Sequence, residues 1–364
     1  MNQLRNAPRV IAIVVTIMVL FSSLQTGVRA QTPLDPIVIL YDAGHNNQYD
    51  AFNLEDGMNL MLDAVNTSTK YVVYVTTEDL TDTTLNDVDI LIIAGPAASY
   101  PFADEEIDGI SEMLANGSSL FLSGDPTIDQ NVTYWAELTM QGIGDNYAIN
   151  DLLDSINVTG VRFSVNDTGV GPLWGDTMFD YDHSVFNETY PYVQRLDSST
   201  WKSSHPIFRN INDLYVMTST LKPVDLSSAI ATGYESSFAQ FRSDPISWGN
   251  YSFPNMTIAD FEQAPFSYSA INGTFPPWMS AFEYDNSRIV VMGSTLMFTD
   301  LQLPNPDTDL KWFSSGDNSR LFMNILNWLS LDFIEAPSAI VPMFAISSVI
   351  MVVGVVFYIF KKLR

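Results

Sequence analysis

The sequence predicts an α/β fold: a parallel sheet with helices on both faces, a β-rich insertion and one C-terminal transmembrane helix. Three observations support this. Short apolar segments alternate with amphipathic helical segments near the start of the chain, which is typical of strands joined by crossover helices. The periodicity fades between about 131 and 285. A long uncharged apolar segment near the end is followed at once by basic residues.

The first strand and the first helix are predicted from the spacing of apolar residues, which changes from a continuous run to helical spacing. Ile37–Tyr41 is a short apolar run of the type that forms a buried strand, and Asp42 follows it. The next segment, Phe52–Val65, has apolar residues at helical spacing, so a helix is expected there. Its apolar face consists of Leu54, Met58, Met61, Leu62 and Val65.

The next predicted elements repeat the alternation. Tyr71–Val75 and Ile90–Ala94 read as strands. A helix is expected to begin at Asp104, because acidic residues in a first turn favour the helix dipole, and to stop at Gly117. Ser119–Leu122 is the fourth predicted strand.

The segment from about 131 to 285 is rich in aromatic and turn residues and is interpreted as a long insertion or a β-rich lobe packed against the sheet. Regular patterning returns with a strand of the buried type at Arg288–Met292. A helix at about Asn318–Leu331 then leads toward the C-terminal apolar segment. The ectodomain is therefore expected to continue to residue 335.

Residues 1–30 read as a secretory signal peptide. Arg5 and Arg9 precede an apolar stretch of about twelve residues, Val10–Phe21, and Val28-Arg29-Ala30 provides a small-residue cleavage site. An uncleaved N-terminal anchor is the alternative, but the stretch is shorter than the roughly 20 residues that cross a bilayer. Cleavage is expected.

Residues 336–360 are predicted to form a transmembrane helix. The stretch Ala339–Phe360 is uncharged and almost wholly apolar, and the basic tail Lys361–Arg364 follows it directly. Lys and Arg concentrate on the cytoplasmic side of a membrane span. We therefore expect a single-pass cell-membrane protein with residues 31–335 outside the cell and residues 361–364 inside.

The predicted exterior part is strongly acidic. Of the 16 basic residues in the chain, three lie in the signal segment and three in the tail, so ten basic and 42 acidic residues remain, a net charge of −32. Such a field repels phosphate backbones and argues against a nucleic-acid partner. An acidic solvated coat is the favoured interpretation, and a cation-binding surface is the alternative.

The chain contains no cysteine, which removes disulfides, thiolate metal sites and thiol nucleophiles. Nine Asn-x-Ser/Thr triplets all fall in the predicted exterior part, as glycan acceptors must. Together these features favour a glycoprotein of archaeal origin. The candidate acceptors are Asn66, Asn116, Asn131, Asn157, Asn166, Asn187, Asn250, Asn255 and Asn272.

Two blocks of the sequence carry a family resemblance. The first comprises Tyr41–Asn46, which has an acid-x-x-His pattern, then Val88–Pro96, and then Gly117–Asp125 after the acidic-capped helix. The second comprises Arg288–Ser294 with Phe298-Thr299-Asp300, followed by the helix near the C-terminus. Together they cover about half of the predicted ectodomain.

These blocks resemble the class I glutamine amidotransferase-like domain. It occurs in auxiliary proteins of gliding-motility-type ABC transporters, in an intraflagellar-transport subunit and in the luminal non-catalytic subunit of oligosaccharyltransferase. The resemblance implies a flavodoxin-like, amidotransferase-like parallel sheet. It also implies an accessory role beside a membrane complex, either an ABC permease or the glycosylation machinery.

The chain departs from active amidotransferases at the nucleophile. The resemblance places their catalytic cysteine on the turn that here reads Leu122-Ser123-Gly124-Asp125, so glutamine hydrolysis through a thiol is excluded. A serine elbow needs small residues two positions on either side, and Phe121 and Asp125 occupy those positions around Ser123. His205-Pro206 is similar to the His-Pro pair of amidotransferases, but it precedes the last strand instead of following it.

Polar residues follow several predicted strands at the edge where open parallel sheets bind ligands. Carboxylates and an imidazole are possible ligands of a divalent ion, but capping of the next segment by Asp42 and Asp125 is the more common role of such residues. We expect no cofactor and no resident metal. The candidate ligand-binding residues are Asp42, His45, Asn46, Gly95, Pro96, Ser123, Gly124, Asp125, Ser294 and Asp300.

Three functions remain open from the sequence. The leading one is a non-catalytic recognition or accessory domain, whose strand-end crevice or aromatic-rich lobe binds a partner or ligand. It would serve an ABC-type transport complex or, alternatively, an oligosaccharyltransferase. The second is a hydrolase or metal-dependent enzyme that uses Asp42, His45, Asp125 and Ser123. The third is a structural surface protein.

Overall fold

A computed structural model describes residues 36–126, 146–165, 176–180, 182–185, 192–223, 228–241, 266–269, 275–303 and 309–331. All of them belong to one compact unit, Pro36–Phe333. The predicted signal segment, the predicted membrane span and the basic tail lie outside the described residues. Within the described ranges, no helix is both long and apolar enough to cross a membrane.

The strands are, in chain order, β1 (Ile37–Asp42), β2 (Tyr71–Thr76), β3 (Ile90–Ala94), β4 (Ser119–Ser123), β5 (Val161–Phe163), β6 (Asp176–Phe179), β7 (Gln194–Asp197), β8 (Asp213–Val216), β9 (Leu221–Pro223), β10 (Ala229–Thr232), β11 (Phe238–Phe241), β12 (Phe266–Ser269), β13 (Pro277–Tyr284) and β14 (Ser287–Met292). The α-helices are α1 (Asn59–Asn66), α2 (Asp82–Leu85), α3 (Asp104–Ala115), α4 (Tyr147–Ser155) and α5 (Asn318–Leu329). Short 3₁₀ turns occupy Pro206–Phe208, Leu296–Phe298 and Trp312–Ser314.

The fold is mixed α/β around a seven-stranded sheet, in the order β10-β13-β14-β4-β3-β1-β2. The five strands from β14 to β2 pair in parallel. β13 pairs antiparallel with both β14 and β10, so the sheet is mostly and not wholly parallel. The parallel part has the strand order 2-1-3-4-5, one of the common doubly wound arrangements, whose switch point lies between β1 and β3.

Helices cover both faces of the sheet, as predicted. Alternate residues of β1 and β3 point to opposite faces because the side-chain period of a strand is two. Ile39 and Ile92 join the cluster that contains the apolar residues of α1 and α5. Leu40 and Leu91 join the second cluster, with the apolar residues of α3 and α4. Both faces are therefore buried, which explains why β3 and β4 are apolar throughout.

The predicted helix at Phe52–Val65 is wrong at its start, because α1 begins only at Asn59. Phe52 and Leu54 are each 66% exposed and do not belong to a helical face. Side-chain hydrogen bonds hold this segment in turns instead: Asp50 accepts from the Phe52 N–H at 2.8 Å, and Asn53 accepts from the Glu55 N–H at 2.9 Å. Such local bonds compete with helix formation.

The segment from 131 to 285 is not merely an insertion, because it supplies β10 and β13 to the central sheet. β13 and β14 form a hairpin, and its turn residue Asp285 adopts a left-handed conformation, with φ of 51°. The other described strands of this segment form three small sheets: β12-β11-β6, β5-β9 and β7-β8. The described residues of the segment from 131 to 285 also include one α-helix, α4.

Candidate functional site

The ends of four neighbouring parallel strands meet at one edge of the sheet. Two backbone hydrogen bonds tie these ends together: the Gly95 N–H donates to the Ser123 carbonyl at 2.8 Å, and the Gly124 N–H donates to the Met292 carbonyl at 3.0 Å. Asp42 ends β1 at the same edge. The structure thus brings most of the sequence-predicted residues together.

His45 lies between two carboxylates. Its Nδ1 is 2.9 Å from Asp42 Oδ2, and its Nε2 is 3.3 Å from Glu106 Oε2. The second oxygen of Asp42 accepts from the Gly44 N–H at 2.9 Å, so Asp42 caps its own turn. All three side chains of this Asp42–His45–Glu106 cluster are buried. His45 therefore bonds locally, as the sequence suggested, and also to a residue 61 positions away.

Glu106 was not among the predicted site residues. It lies in the first turn of α3, where its Oε2 accepts from the Ala103 N–H at 2.8 Å, and its Oε1 accepts from the Leu80 N–H at 2.9 Å. A glutamate at the third helical position that bonds back to the N-cap is half of a capping box. The three-residue spacing between Ala103 and Glu106 is visible in the sequence. It indicates a helix cap, and it does not indicate that Glu106 contacts a distant histidine.

The charges of the cluster stabilise one another. Burial lowers the pKa of His45, but the hydrogen bonds and negative charges of Asp42 and Glu106 outweigh it and raise the pKa above its ordinary 6.5. Burial alone would raise the pKa of Glu106. Hydrogen bonds from the Leu80 and Ala103 N–H groups, together with His45, outweigh burial and lower the pKa below its ordinary value. The His45 ring therefore sits between two carboxyl groups that favour its protonated form, with both ring nitrogens hydrogen-bonded.

Aromatic packing closes this cluster from another side. The ring of Phe102 stacks on His45, with 4.0 Å between centroids and an interplanar angle of 27°. His45 is left with only 7% of its surface exposed. A general base needs a ring nitrogen that can reach a substrate proton. His45 has neither the free nitrogen nor the exposure.

Asp125 forms a second buried carboxyl site. Its Oδ1 accepts from the Leu296 N–H at 2.9 Å, on the segment after β14, so it caps a remote turn and not the next segment of the chain. Its backbone is held by Asn146, which accepts from the Asp125 N–H at 3.0 Å and donates to the Asp125 carbonyl at 2.9 Å. Burial raises the pKa of Asp125 to about 8. The carboxyl is therefore protonated at neutral pH.

Two buried tyrosines lie near the carboxyl groups of this edge. Burial, and then the charges of Asp42, Asp125 and Asp50, raise the pKa of Tyr41 far above its ordinary 10.0. Hydrogen bonds from Leu296, Thr295 and finally Tyr49 partly offset the effect of burial on Asp125. The hydroxyl of Tyr41 therefore stays neutral.

The turn that resembles an amidotransferase elbow is sealed. Ser123 is buried, and its Oγ accepts from the Thr295 hydroxyl at 3.0 Å. A Cβ atom on Gly124 would lie 2.2 Å from Asn146 Oδ1, so the turn packs directly against that amide. No imidazole is recorded in contact with Ser123 among the described residues, and His45 bonds carboxylates with both nitrogens.

The loop after β1 covers the switch point between β1 and β3. Asn47 Nδ2 donates to the Ala94 carbonyl at 2.9 Å. The Gln48 N–H donates to the Gly95 carbonyl at 2.8 Å, and the Ala97 N–H donates to the His45 carbonyl at 3.0 Å. The crevice where open α/β sheets bind ligands is therefore bridged by the chain itself.

The remaining predicted residues have separate roles. Ser294 Oγ accepts from the Met297 N–H at 3.3 Å within the turn after β14. Asp300 Oδ1 accepts from the Leu60 N–H at 3.0 Å and so caps the start of α1. Pro96 is buried, and Asn46 is exposed with a φ of 47°. No group of three or more His, Asp and Glu side chains arranged for a metal ion occurs among the described residues.

Three of the nine candidate glycan acceptors fall within the described part of the chain. Asn66 ends α1, Asn116 follows α3, and Asn157 follows α4. All three are exposed. The other six, Asn131, Asn166, Asn187, Asn250, Asn255 and Asn272, lie outside the described residues.

A cavity of about 590 Å³ lies away from the strand-end edge, beside the β7–β8 ladder. One face of the ladder turns its apolar side chains, such as Leu196 and Leu214, into the core. The other face places Arg195 opposite Tyr215, and Asp197 opposite Asp213. These residues line the cavity, together with His183, Ser184, Val185, Asn212 and Tyr234.

Sequence reasoning missed this cavity, although a signal was present. Gln194–Asp197 and Asp213–Val216 each alternate between buried and accessible positions, the period expected of a half-buried strand. Each run is only four residues long and lies in the segment with weak patterning. Their pairing brings the polar positions together, and pairing cannot be read from either run alone.

No family model and no curated protein sequence matches the chain. Among solved structures, it is similar to the "mmIFT52 N-terminal domain", with 14% identity and a TM-score of 0.49 over 82% of this chain and 100% of that one. It is also similar to two cytoplasmic proteins of Salmonella typhimurium. STM1381 of strain LT2 has 10% identity and STM3548 has 12%, each with a TM-score of 0.39 over 80% of this chain and 98% of the other. Sequence identities and TM-scores this low do not support an inference about function.

Proposed function

We propose that this protein is a non-catalytic recognition or accessory domain, anchored outside the cell beside a membrane complex. The observation that supports this most is the closure of the strand-end edge. The carboxylates of Asp42 and Glu106 hold both nitrogens of His45, and Ser123 is bonded to Thr295. Among the described residues, the polar side chains of this edge bond to one another and leave no group free for catalysis there. The edge therefore stabilises the fold, and recognition takes place on another surface of the domain.

The hydrolase or metal-enzyme alternative is less well supported by this geometry. A nucleophilic serine needs an adjacent base, and a general base needs a free acceptor atom. Asp125 is buried and protonated at neutral pH, and the buried Asp42 is committed to His45 and Gly44. The chain also has no cysteine, so the thiol route is closed.

The proposed location is supported by the two ends of the sequence. Residues 1–30 carry the features of a cleaved signal peptide, and residues 336–360 have the length and composition of a membrane span followed by a basic tail. The exposed acceptors at Asn66, Asn116 and Asn157 agree with a glycosylated exterior domain. We therefore propose a single-pass membrane protein with residues 31–335 outside the cell.

The proposed partner is a membrane complex, with an ABC permease as the first candidate. The sequence resemblance to auxiliary proteins of ABC transporters supports it, and the resemblance to the oligosaccharyltransferase subunit makes the glycosylation machinery the second candidate. The high negative charge of the ectodomain disfavours nucleic acid. A single span also provides a helix that can pack against the helices of a permease.

The test is recovery of the full chain from its native membrane in mild detergent after cross-linking, with co-purifying proteins identified by mass spectrometry. A matched variant replaces residues 339–360 with an equally long polyleucine segment. Reproducible recovery of an ABC permease supports the first candidate, and recovery of a glycosyltransferase complex supports the second. Recovery of neither complex with the wild-type chain contradicts the proposal. Loss of the partner in the polyleucine variant assigns docking to the anchor helix.

A further inference from the structure

The cavity beside the β7–β8 ladder has unused hydrogen-bonding capacity. Arg195 bonds Asp213 Oδ2 through Nε, at 2.9 Å, and no partner is recorded for its two terminal nitrogens in the described part of the chain. Tyr215 also lines this space, and its hydroxyl makes no hydrogen bond to another described residue. The Asp197 carboxylate accepts from Ser199 through Oδ1 and interacts with the Tyr234 hydroxyl, and each of its oxygens has a second lone pair that can accept. Donors and acceptors therefore both face one space.

The aromatic part of the lining, His183 and Tyr234, is held in place before any ligand binds. The rings of His183 and Tyr234 stack with 3.6 Å between centroids and an interplanar angle of 16°. The Tyr234 hydroxyl donates to the Arg195 carbonyl at 3.1 Å and accepts from the Asp197 N–H at 3.0 Å. His183 is further held by the buried Asp180, 3.2 Å away. A lining fixed in this way loses little conformational entropy on binding.

The charges in the cavity select against anions and give little affinity for cations. Arg195 and Asp213 pair with each other, and Asp197 adds one further carboxylate, so the lining disfavours an anion. Asp197 is exposed to solvent, which screens its attraction for a cation. Ligand pockets are usually lined mainly by apolar side chains and span about 300–1,000 Å³. This one has a suitable size but a mostly polar lining, which fits a neutral ligand that is rich in hydroxyl groups.

We propose that this cavity binds a neutral saccharide. Planar polar side chains such as Arg195 and Asp197 can bond adjacent hydroxyl groups, which both donate and accept. The aromatic rings of Tyr215 and Tyr234 carry negative faces that attract the weakly positive C–H edges of a sugar ring. This inference rests on the proposed function, because it names the class of ligand that the recognition domain takes.

The experiment uses the full chain in detergent and saturation-transfer NMR with the methyl glycosides of glucose, galactose and mannose. Glucuronate and glucosamine serve as the anionic and cationic comparators. At least one neutral glycoside is expected to bind more tightly than either charged sugar. Absence of binding to both the free glycosides and immobilised glycan chains, or preference for a charged sugar, overturns the inference. Binding of immobilised glycan chains without binding of free glycosides supports a saccharide site for longer glycans.

Two conservative variants locate the site. Tyr215→Phe removes only the hydroxyl, and Arg195→Gln keeps a planar amide; each is expected to weaken binding by about tenfold, the effect of one lost polar contact. The matched controls are Tyr74→Phe, an exposed tyrosine on β2, and Arg162→Gln, whose partner is Asp154. Unchanged binding in both site variants contradicts the assignment of the cavity.

The same samples separate this inference from the proposed function. Conversion of a glycoside into product, visible in the NMR spectrum, contradicts a non-catalytic domain. Failure of all saccharides to bind, together with recovery of a membrane complex in the cross-linking experiment, overturns the saccharide site alone. Binding without turnover, lost in the site variants, supports both.

Discussion

His45 Nε2 lies 3.3 Å from Glu106 Oε2, and this contact joins the loop after β1 to the first turn of α3. Together with the bond from His45 Nδ1 to Asp42, it places one imidazole between two buried carboxylates. The loop that covers the switch point of the sheet is fixed at this position. The stability of the edge therefore depends on the charge of one histidine.

Replacing His45 with glutamine is expected to lower the free energy of unfolding by about 3–5 kcal/mol, because the two carboxylates lose their buried counter-ion. Chemical denaturation of the purified protein measures this. His205→Gln is the matched control: His205 is partly buried and packs near Trp328, but burial and then Lys202 lower its pKa, and no carboxylate partner is recorded for it within the described ranges. An equal loss in both variants would contradict the role given to His45.

The cluster is expected to give a pH optimum of stability. His45 has a raised pKa, so its contribution is complete below 6.5 and is lost as the pH rises through the folded-state value. Glu106 has a lowered pKa, so its contribution is present above 4.5 and is lost as the pH falls through the folded-state value. Denaturation midpoints from pH 3 to 9 test this. A His45→Gln profile with the same alkaline decrease as wild type would refute the histidine contribution.

Asp125→Asn is expected to make the protein relatively more stable at high pH. Burial raises the Asp125 pKa from 3.8 to about 8, so the wild-type carboxyl costs stability as the pH rises between these values. The amide is neutral throughout and similar in shape. The difference between the midpoints of variant and wild type should increase from pH 5 to pH 8. The exposed Asp108→Asn is the control, and a constant difference would count against a protonated Asp125.

Gly124→Ala is expected to destabilise the fold by about 1–3 kcal/mol, the usual cost of overpacking. The new Cβ would lie 2.2 Å from Asn146 Oδ1 and would displace the amide that holds Asp125. Gly44→Ala is the matched control at the same edge, because its Cβ would meet nothing nearer than 3.4 Å. Thermal unfolding compares the two. A loss in the control that equals that of Gly124→Ala would show that the elbow is not tightly packed.

The exposed acceptors are expected to carry glycans when the protein is made in its native host. Asn66→Gln, Asn116→Gln and Asn157→Gln should each reduce the mass by one glycan, because each side chain is exposed at the end of a helix. Intact-mass spectrometry reads the change. A wild-type mass equal to that of the bare polypeptide would contradict both the modification and its support for an exterior location.

The sequence predicted the parallel part of the sheet well. β3 coincides with the predicted Ile90–Ala94, and β1, β2, β4 and β14 differ by one residue at an end. These strands are buried on both faces, so their apolar runs are continuous and easy to recognise. The start of α1 was missed because Asp50 and Asn53 form local turns in a segment of helical period.

The roles of the candidate site residues were harder to predict. The strand-end position of Asp42 and Asp125 followed from the topology, but their partners, His45 with Glu106 and the Leu296 N–H, depend on loops that pack together only in the fold. Pairing across short strands likewise created the polar face of β7 and β8. A single sequence shows which residues end a strand, and it does not show what those residues meet.

The most direct test of the closed edge is the protonation state of His45. Selective ¹⁵N labelling of histidine in the full chain gives three pairs of imidazole nitrogen signals, and His45→Gln identifies the relevant pair. We expect both ring nitrogens of His45 to be protonated at pH 7, with a pKa above 6.5 and above that of His205. A neutral ring with one unprotonated nitrogen at pH 7 would contradict the account and return His45 to consideration as a general base.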